Sequence, residues 1–453
     1  MAIVAVTVFM GTFLISSVSI ALPAIEKSFG LDAVALSWVV TAFLLSTAMF
    51  LLPVGRWGDL KGIRRLFKLG VVIFTLSSLA CGLSGSGFWL IFFRYIQGIG
   101  AALTSTTGPA ILVSAFLPQH RGRVLGIAVS AVYSGLAFGP FAGGLLTELF
   151  GWRSIFFVAS SLGLFTSLIT FLFLGKDETN DAVDKKTDLK GTFFYMLGLV
   201  ALVYGSSFIP SASGWFMQAG GILAMIIFWV LENKSEMPVI ETKLFTRNRL
   251  FAFSNLAALI NYSATFAIIF LLSLYLQKIQ RLSPRDAGMV LIAQPIVMAL
   301  FSPLAGRLSD RIQPRYLATL GMGMCTLGLV AFAFLSATTP VWLIVFILIW
   351  VGLGFAFFSS PNMNTIMSSV NKSQYGLASG SAATMRVIGQ IVSMTIATLF
   401  FAAMFGDLAV EVVSNAIFMK AMKWGFISFS LISIAGIYFS YNRGQMKRET
   451  HTV

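Results

Sequence analysis

The chain has 453 residues, of which 57% are hydrophobic and only 11% are charged. Soluble domains carry about 25% charged residues, so there is too little charge here to coat them, and the high apolar content excludes disorder. A mean hydropathy of +0.88 and 43 Phe point to lipid as the solvent. The net charge of +14 then reads as basic cytoplasmic loops, with no nucleic-acid partner.

In chain order, fourteen apolar runs reach the ~20 residues that a helix needs to cross a bilayer. They cover 2–23, 33–54, 66–84, 88–115, 124–147, 153–174, 191–210, 214–231, 250–276, 286–304, 316–336, 340–367, 376–404 and 420–441. Met1 opens straight into the first run, no cleavage signal follows it and the chain turns back at Ser28-Phe29-Gly30, so the run reads as a span and not as a removed signal peptide. The one long polar connection, Gly175 to Lys190, reads as a solvated loop between two bundles. A second charged loop, Glu232 to Arg249, leads into span 9. The expected organisation is a six-helix bundle over 1–174, then a segment over 175–249 holding the loop, two inserted helices and a linker. A second six-helix bundle follows over 250–441, and a tail over 442–453. With the loop after span 2 placed inside, 22 of the 31 basic residues share that side and 7 lie opposite. This predicts a multi-pass protein of the cytoplasmic (inner) cell membrane with both termini cytoplasmic.

An internal repeat supports two related bundles. Gly55-Arg56-Trp57-Gly58-Asp59, with Arg64 and Arg65 beyond it, follows span 2. Gly306-Arg307-Leu308-Ser309-Asp310, with Arg315 beyond it, follows span 10. Two similar bundles that rock about a site at their interface suit a transporter. In each loop the glycine permits close approach of helix ends, and the aspartate faces arginines as a latch that stabilises one of two states. A solvated tight turn is the simpler alternative. Cys81 and Cys325 lie in apolar runs as small buried hydrophobes. Two cysteines and the two histidines, His120 and His451, provide neither a disulfide framework nor a metal set, so no metal or cofactor is expected.

The residues resemble the major facilitator superfamily, specifically its 14-span drug:proton antiporter branch. The loop Gly55 to Arg65 is similar to the family loop between spans 2 and 3. Arg94-Tyr95-Ile96-Gln97-Gly98-Ile99-Gly100 resembles the span-4 arginine motif, and Gly135-Leu136-Ala137-Phe138-Gly139-Pro140-Phe141-Ala142-Gly143-Gly144 resembles the span-5 antiporter motif. Trp152-Arg153 and Pro238-Val239-Ile240 add to the likeness. The chain departs from the branch at Leu14, where an acidic residue often stands before the Leu22-Pro23 pair. The resemblance implies an all-α membrane protein with the major facilitator fold: two six-helix bundles plus two inserted helices. It also implies a substrate or proton-relay role for Arg94, and a gating role for Gly135, Gly139, Pro140, Gly143 and Gly144.

A charge at mid-bilayer costs at least about 2.5–3.5 kcal/mol on insertion scales, so each one needs a reason. Two arginines fall inside spans: Arg94, with Gln97 one turn on, and Arg386, with Gln390 on the same face. Each either meets substrate or holds backbone carbonyls. Polar and aromatic candidates for a central cavity are Trp38, Thr41, Tyr133, Asn261, Tyr262, Gln294, Trp350 and Asn362, with interhelical hydrogen bonding as the alternative for each. None of the 17 acidic residues falls near the middle of a span. Proton coupling is therefore sought at Glu26, Asp32, Asp59, Glu148 and Asp310, together with Arg94. The absence of central carboxylates favours a neutral or anionic amphiphile over a strictly cationic one.

The function expected is secondary active transport by alternating access: proton-coupled efflux of a hydrophobic or amphiphilic small molecule, by a monomer in the lipid bilayer. A uniporter or importer of a metabolite or organic anion stays open as an alternative. A non-transporting receptor or membrane enzyme is disfavoured, because no loop is long enough for a soluble catalytic or ligand-binding domain.

Overall fold

The computed structural model describes residues 1–116, 121–175, 188–235, 242–371 and 374–445, and among them it is all-helical. The first six helices are α1 (Ala2–Phe29), α2 (Ala33–Lys61), α3 (Ile63–Gly82), α4 (Gly87–Ala115), α5 (Arg121–Phe150) and α6 (Arg153–Phe173). Next come α7 (Leu189–Ser206), α8 (Ala212–Lys234) and the short α9 (Thr242–Arg247). The remainder are α10 (Arg249–Thr265), α11 (Ala267–Lys278), α12 (Pro284–Leu291), α13 (Ala293–Arg311), α14 (Pro314–Ala333), α15 (Val341–Ser368), α16 (Tyr375–Phe405) and α17 (Asn415–Asn442).

Twelve spans among the described residues are long and apolar enough to cross a membrane, with α10–α11 and α12–α13 each forming one. The helices α4 and α5, at 29 and 30 residues, also have spanning length at 1.5 Å per residue. This is in line with the fourteen-span expectation. We call the end where α1 gives way to α2 the distal end. There Gly30 adopts φ 63° and returns its N–H to the Glu26 carbonyl, a left-handed closure that costs glycine little. Asp32 then caps α2 by accepting the Ala35 N–H at 2.7 Å.

Two spans expected to be continuous are broken, one by a contact from another helix and one by a proline. At Phe266 the ladder opens because the Ala267 N–H donates to Ser393 Oγ of α16 at 3.0 Å, and a side chain inserted into the ladder bends a helix. At Ile292 the break precedes Pro295, which lacks an N–H and crowds the carbonyl four residues back. The short α9 was not expected from the sequence.

The first six helices pack on one another, with α1 on α5, α2 on α4, and α3 on α4 and α6. The last eight, α10 to α17, form a corresponding second group, with α10 on α16 and α17, α13 on α15, and α14 on α15 and α17. The inserted hairpin α7–α8 touches both groups, through α7 against α2 and α16. Its polar anchors lie on α2. The Trp38 Nε1–H donates to Ser207 Oγ at 2.8 Å beside α7, and the Tyr195 hydroxyl donates to the Ala48 carbonyl at 3.0 Å. The outer face of α8, with Trp215, Phe216 and Leu223, is exposed, as a lipid-facing helix requires.

Candidate functional site

The two groups meet along α1, α2 and α5 on one side and α11, α12, α13 and α16 on the other. At the distal end the meeting is polar and close. The buried Glu26 carboxylate, at the end of α1, accepts the Glu411 N–H at 2.8 Å and also the Val410 N–H. Lys278 of α11 donates to the Glu411 carbonyl at 2.9 Å. Glu148, at the end of α5, accepts the Arg285 N–H at 3.2 Å, in the first turn of α12, where a carboxylate is favoured by the free N–H groups and the dipole. Further ties are Gln277 Nε2 to the Ile20 carbonyl at 2.9 Å, Ala33 N–H to the Leu408 carbonyl at 3.1 Å, and Thr398 Oγ1 to Ser37 Oγ at 2.8 Å. The distal end is therefore sealed.

The glycine-rich face of α5 divides between two neighbours. A Cβ at Gly135 would lie 2.6 Å from the Phe9 carbonyl, at Gly139 3.0 Å from the Phe13 carbonyl, and at Gly143 2.7 Å from Ser17 Cα, all on α1. Ser17 Oγ also donates to the Gly139 carbonyl at 2.9 Å. At Gly144 a Cβ would sit 2.3 Å from the Pro284 carbonyl oxygen of α12, and at Gly288 2.3 Å from the Pro140 carbonyl oxygen. The first three glycines thus bind α5 to its own group, while Pro140 and Gly144 face the other group. Small residues allow this approach between membrane helices.

Mid-span, four side chains from four helices converge. The Tyr133 hydroxyl of α5 hydrogen-bonds Ser359 Oγ of α15 at 3.1 Å. The Tyr262 hydroxyl of α10 lies beside Ser359 and Arg386 of α16, and its ring meets Phe355 edge-on at 5.4 Å. The approach of α16 to α10 depends on Gly389, where a Cβ would lie 2.5 Å from the Leu259 carbonyl and 2.8 Å from Tyr262 Cβ. All four residues of the cluster are partly exposed, and so is Gln390. The hydrogen bonds between the two groups, among the described residues, lie at this cluster or on its distal side.

The remaining sequence candidates lie elsewhere. Arg94 is fully buried within the first group. Its Nε donates to the Val39 carbonyl at 2.9 Å, Nη1 donates to Gln97 Oε1 at 2.6 Å, and the guanidinium lies 4.5 Å from the Phe43 ring centroid. Gln97 passes the chain on to Ser78 Oγ at 2.6 Å. These bonds tie α2, α3 and α4 together, away from the interface between groups. Arg94→Ala is expected to lower thermal stability by about 3 kcal/mol, because it strands two buried acceptors, the Val39 carbonyl of α2 and Gln97 Oε1 of α4. Thermal unfolding read by tryptophan fluorescence checks this, with transport per folded molecule retained.

Trp38 faces α7, with Tyr204 at 5.7 Å, and the buried Thr41 donates to the Ser37 carbonyl of its own helix. Asn261 is buried beside Cys325 of α14. Trp350 donates to the Met324 carbonyl at 3.0 Å. Asn362 donates to the Ser254 carbonyl at 3.0 Å and accepts Arg443 Nη1 at 2.6 Å, which pins the end of α17 to the proximal end of its group. Gln294, beside the break at Ile292, holds Oε1 buried without a hydrogen-bond partner. The repeated motifs expected as loops fall instead in the last turns of α2 and α13, and the side chains of Asp59 and Asp310 lie outside the described residues. A Cβ at Gly55 would meet only Thr106 at an ordinary 3.8 Å, whereas one at Gly306 would meet Ser360 Oγ at 2.8 Å. The close approach expected of both loops is therefore found only at the second. Arg64 and Arg65 both have interaction partners, and Arg315 lies on the Tyr316 ring at 4.5 Å.

Sequence reading missed Ser359, hidden in the run Phe357-Phe358-Ser359-Ser360, and the role of the segment around Glu411. The signal available for Ser359 was a hydroxyl just before Pro361, near the middle of a span. No local signal marks a backbone N–H that will meet Glu26.

Two related helical groups, distal contacts between them and a mid-span polar cluster where they meet suit a multi-pass membrane transporter. The Major Facilitator Superfamily model matches residues 1–394, and the chain belongs to that superfamily. It is 33% identical over 408 residues to the riboflavin transporter RibZ of Clostridioides difficile (strain 630), covering 89% of this chain and 87% of that protein. It is 31% identical over 391 residues to the multidrug resistance protein Stp of Mycobacterium tuberculosis (strain ATCC 25618 / H37Rv), covering 84% and 71%. Among solved structures, a bacterial homologue of the human lysosomal transporter Spinster, inward-facing and unoccupied, superposes with a TM-score of 0.68 at 16% identity over 97% of this chain and 96% of that one. This last likeness shows the fold alone.

Proposed function

We propose that this chain is a secondary active transporter that exports a hydrophobic or amphiphilic small molecule by alternating access, in exchange for protons. In this reading it sits as a monomer in the cytoplasmic membrane with both termini inside. The observation that carries the proposal is the one-sided arrangement of the interface. The cluster Tyr133, Ser359, Tyr262 and Arg386 joins the two groups mid-span, and the distal contacts seal it from one side only. Breaking these contacts while forming others at the proximal end exchanges access between sides. The drug-resistance name of Stp supports export. Glu26 suits proton coupling, because a carboxylate buried by the distal seal changes its surroundings when the seal opens.

A second reading, facilitated transport of a metabolite, is favoured by one observation. The described carboxylates stand at helix ends or in connections: Glu26, Asp32, Glu148, Asp188, Glu232, Asp286, Asp407 and Glu411. The RibZ name also fits it. Reconstitution in proteoliposomes separates the two. Export coupled to protons predicts substrate efflux that speeds up when the outside is made acid and alkalinises the medium as it proceeds. Efflux indifferent to the pH gradient would reject the exchanger and leave the second reading.

A further inference from the structure

We infer that the mid-span cluster is a binding site for an aromatic organic anion, whose negative oxygen docks on Arg386. The inference deepens the transport reading above and rests on it for the movement of the ligand, though not for its binding.

The hydrogen-bonding inventory of the cluster is one-sided. Arg386 brings five N–H donors and no acceptor, and Tyr133, Tyr262 and Ser359 each bring one O–H. The acceptors available are the three hydroxyl oxygens themselves. Among the described residues no carboxylate pairs with Arg386, whose side chain lies beside the Tyr262 hydroxyl. Donors therefore exceed acceptors, and a positive charge stands at mid-span without a counter-ion. The group that completes such a site is an anionic oxygen, which a guanidinium fork recognises with two parallel N–H bonds. A cationic ligand would add like charge to Arg386 and leave the donors unused.

The other intramembrane arginine makes the contrast. Arg94 is enclosed by the Val39 carbonyl, Gln97 and the Phe43 ring inside one helical group, whereas Arg386 is partly exposed at the interface of the two groups. The aromatic preference comes from the rings that frame the site. Tyr262 and Phe355 present an edge-to-face pair, Tyr133 stands across the interface on α5, and a flat ring is held by such faces and by the guanidinium plane.

The site also accounts for the absence of a central carboxylate. A loaded carrier moves a neutralised Arg386, and an empty one returns with the positive charge. Anion export is thus favoured by an inside-negative potential, and a proton entering by Glu26 moves charge in the same favourable direction. One-for-one exchange of a monovalent cation for a proton would be electrically neutral and indifferent to potential.

The test uses the full-length protein with fluorescein as the aromatic anion and ethidium as the aromatic cation. In detergent, fluorescence polarisation is expected to show saturable fluorescein binding. Arg386→Gln should weaken it at least tenfold, and Arg386→Lys should keep an intermediate affinity, with ethidium binding at least tenfold weaker than fluorescein. In proteoliposomes, a potassium diffusion potential set inside-negative with valinomycin is expected to speed fluorescein efflux. Ethidium binding equal to that of fluorescein, or unaltered fluorescein binding in Arg386→Gln, would overturn the inference, as would an absence of fluorescein binding by folded protein. Fluorescein that binds through Arg386 but is not moved by any gradient would refute the transport reading and leave the anion site standing. Ethidium export driven by a pH gradient, with no fluorescein binding, would do the reverse.

Discussion

Gly144→Val and Gly288→Val are each expected to hold the distal end open. A Cβ at either position lies 2.3 Å from a backbone carbonyl oxygen of the opposite helical group, and a rotamer change cannot move a backbone atom. Overpacking of this kind costs about 3 kcal/mol, which shifts a two-state equilibrium more than a hundredfold at 1.4 kcal/mol per factor of ten. The reporter is a cysteine at Thr398, buried in the seal beside Ser37, against a background in which Cys81 and Cys325 are both buried. A membrane-impermeant maleimide added from the distal side is expected to label this cysteine at least tenfold faster in either variant, while net transport is lost. Gly135→Val provides the contrast. Its clash is with Phe9 and Phe13 of α1, inside one group, so it should lower the unfolding temperature without changing labelling per folded molecule. Equal labelling in all three variants would show that α5 and α12 do not form the moving contact.

Glu26 carries the second large effect. Its carboxylate holds the N–H groups of Val410 and Glu411, and Lys278, which binds the Glu411 carbonyl, stands close by. Glu26→Ala leaves both N–H groups without their acceptor at about 1–3 kcal/mol each. It should therefore raise distal labelling of a Thr398 cysteine by at least about tenfold. Glu26→Gln keeps one acceptor oxygen and removes the titratable group. In proteoliposomes it is expected to retain substrate exchange between the two sides while losing acceleration by an imposed pH gradient. Glu148→Gln serves as the comparison, since among the described residues Glu148 accepts the Arg285 N–H alone, and it should leave the gradient response in place. If both glutamines abolish the response equally, coupling does not reside at Glu26 alone.

Gly143 and Gly144 show where sequence reading stops. Both belong to one motif, and both read as small residues for close packing. Adjacent helical positions differ by about 100°, so one meets Ser17 in its own group and the other meets Pro284 in the opposite group. Only the phase of α5 against its neighbours separates a packing residue from a gating one. The arginines repeat the lesson. Arg94 and Arg386 carry the same cost in lipid, and spacing identified a glutamine near each. Which of them has its charge absorbed by helix neighbours depends on the registers of α2, α4, α10 and α16. Trp38 and Asn362, both expected to line a central cavity, likewise turned to Ser207 and Arg443.

The sequence by itself determined the membrane class, the number and approximate extent of the spans, the paired repeat and the shortage of mid-span carboxylates. These follow from local free energies: the cost of placing charge or unpaired backbone in hydrocarbon is settled within about 20 residues. The tertiary structure alone decided the break at Phe266, the seal from Glu26 and Glu148 to backbone N–H groups, and the meeting of Tyr133, Ser359, Tyr262 and Arg386. Each of these depends on the rotation and depth of one helix against another. That is set by packing among residues far apart in the chain, and no hydropathy window contains it.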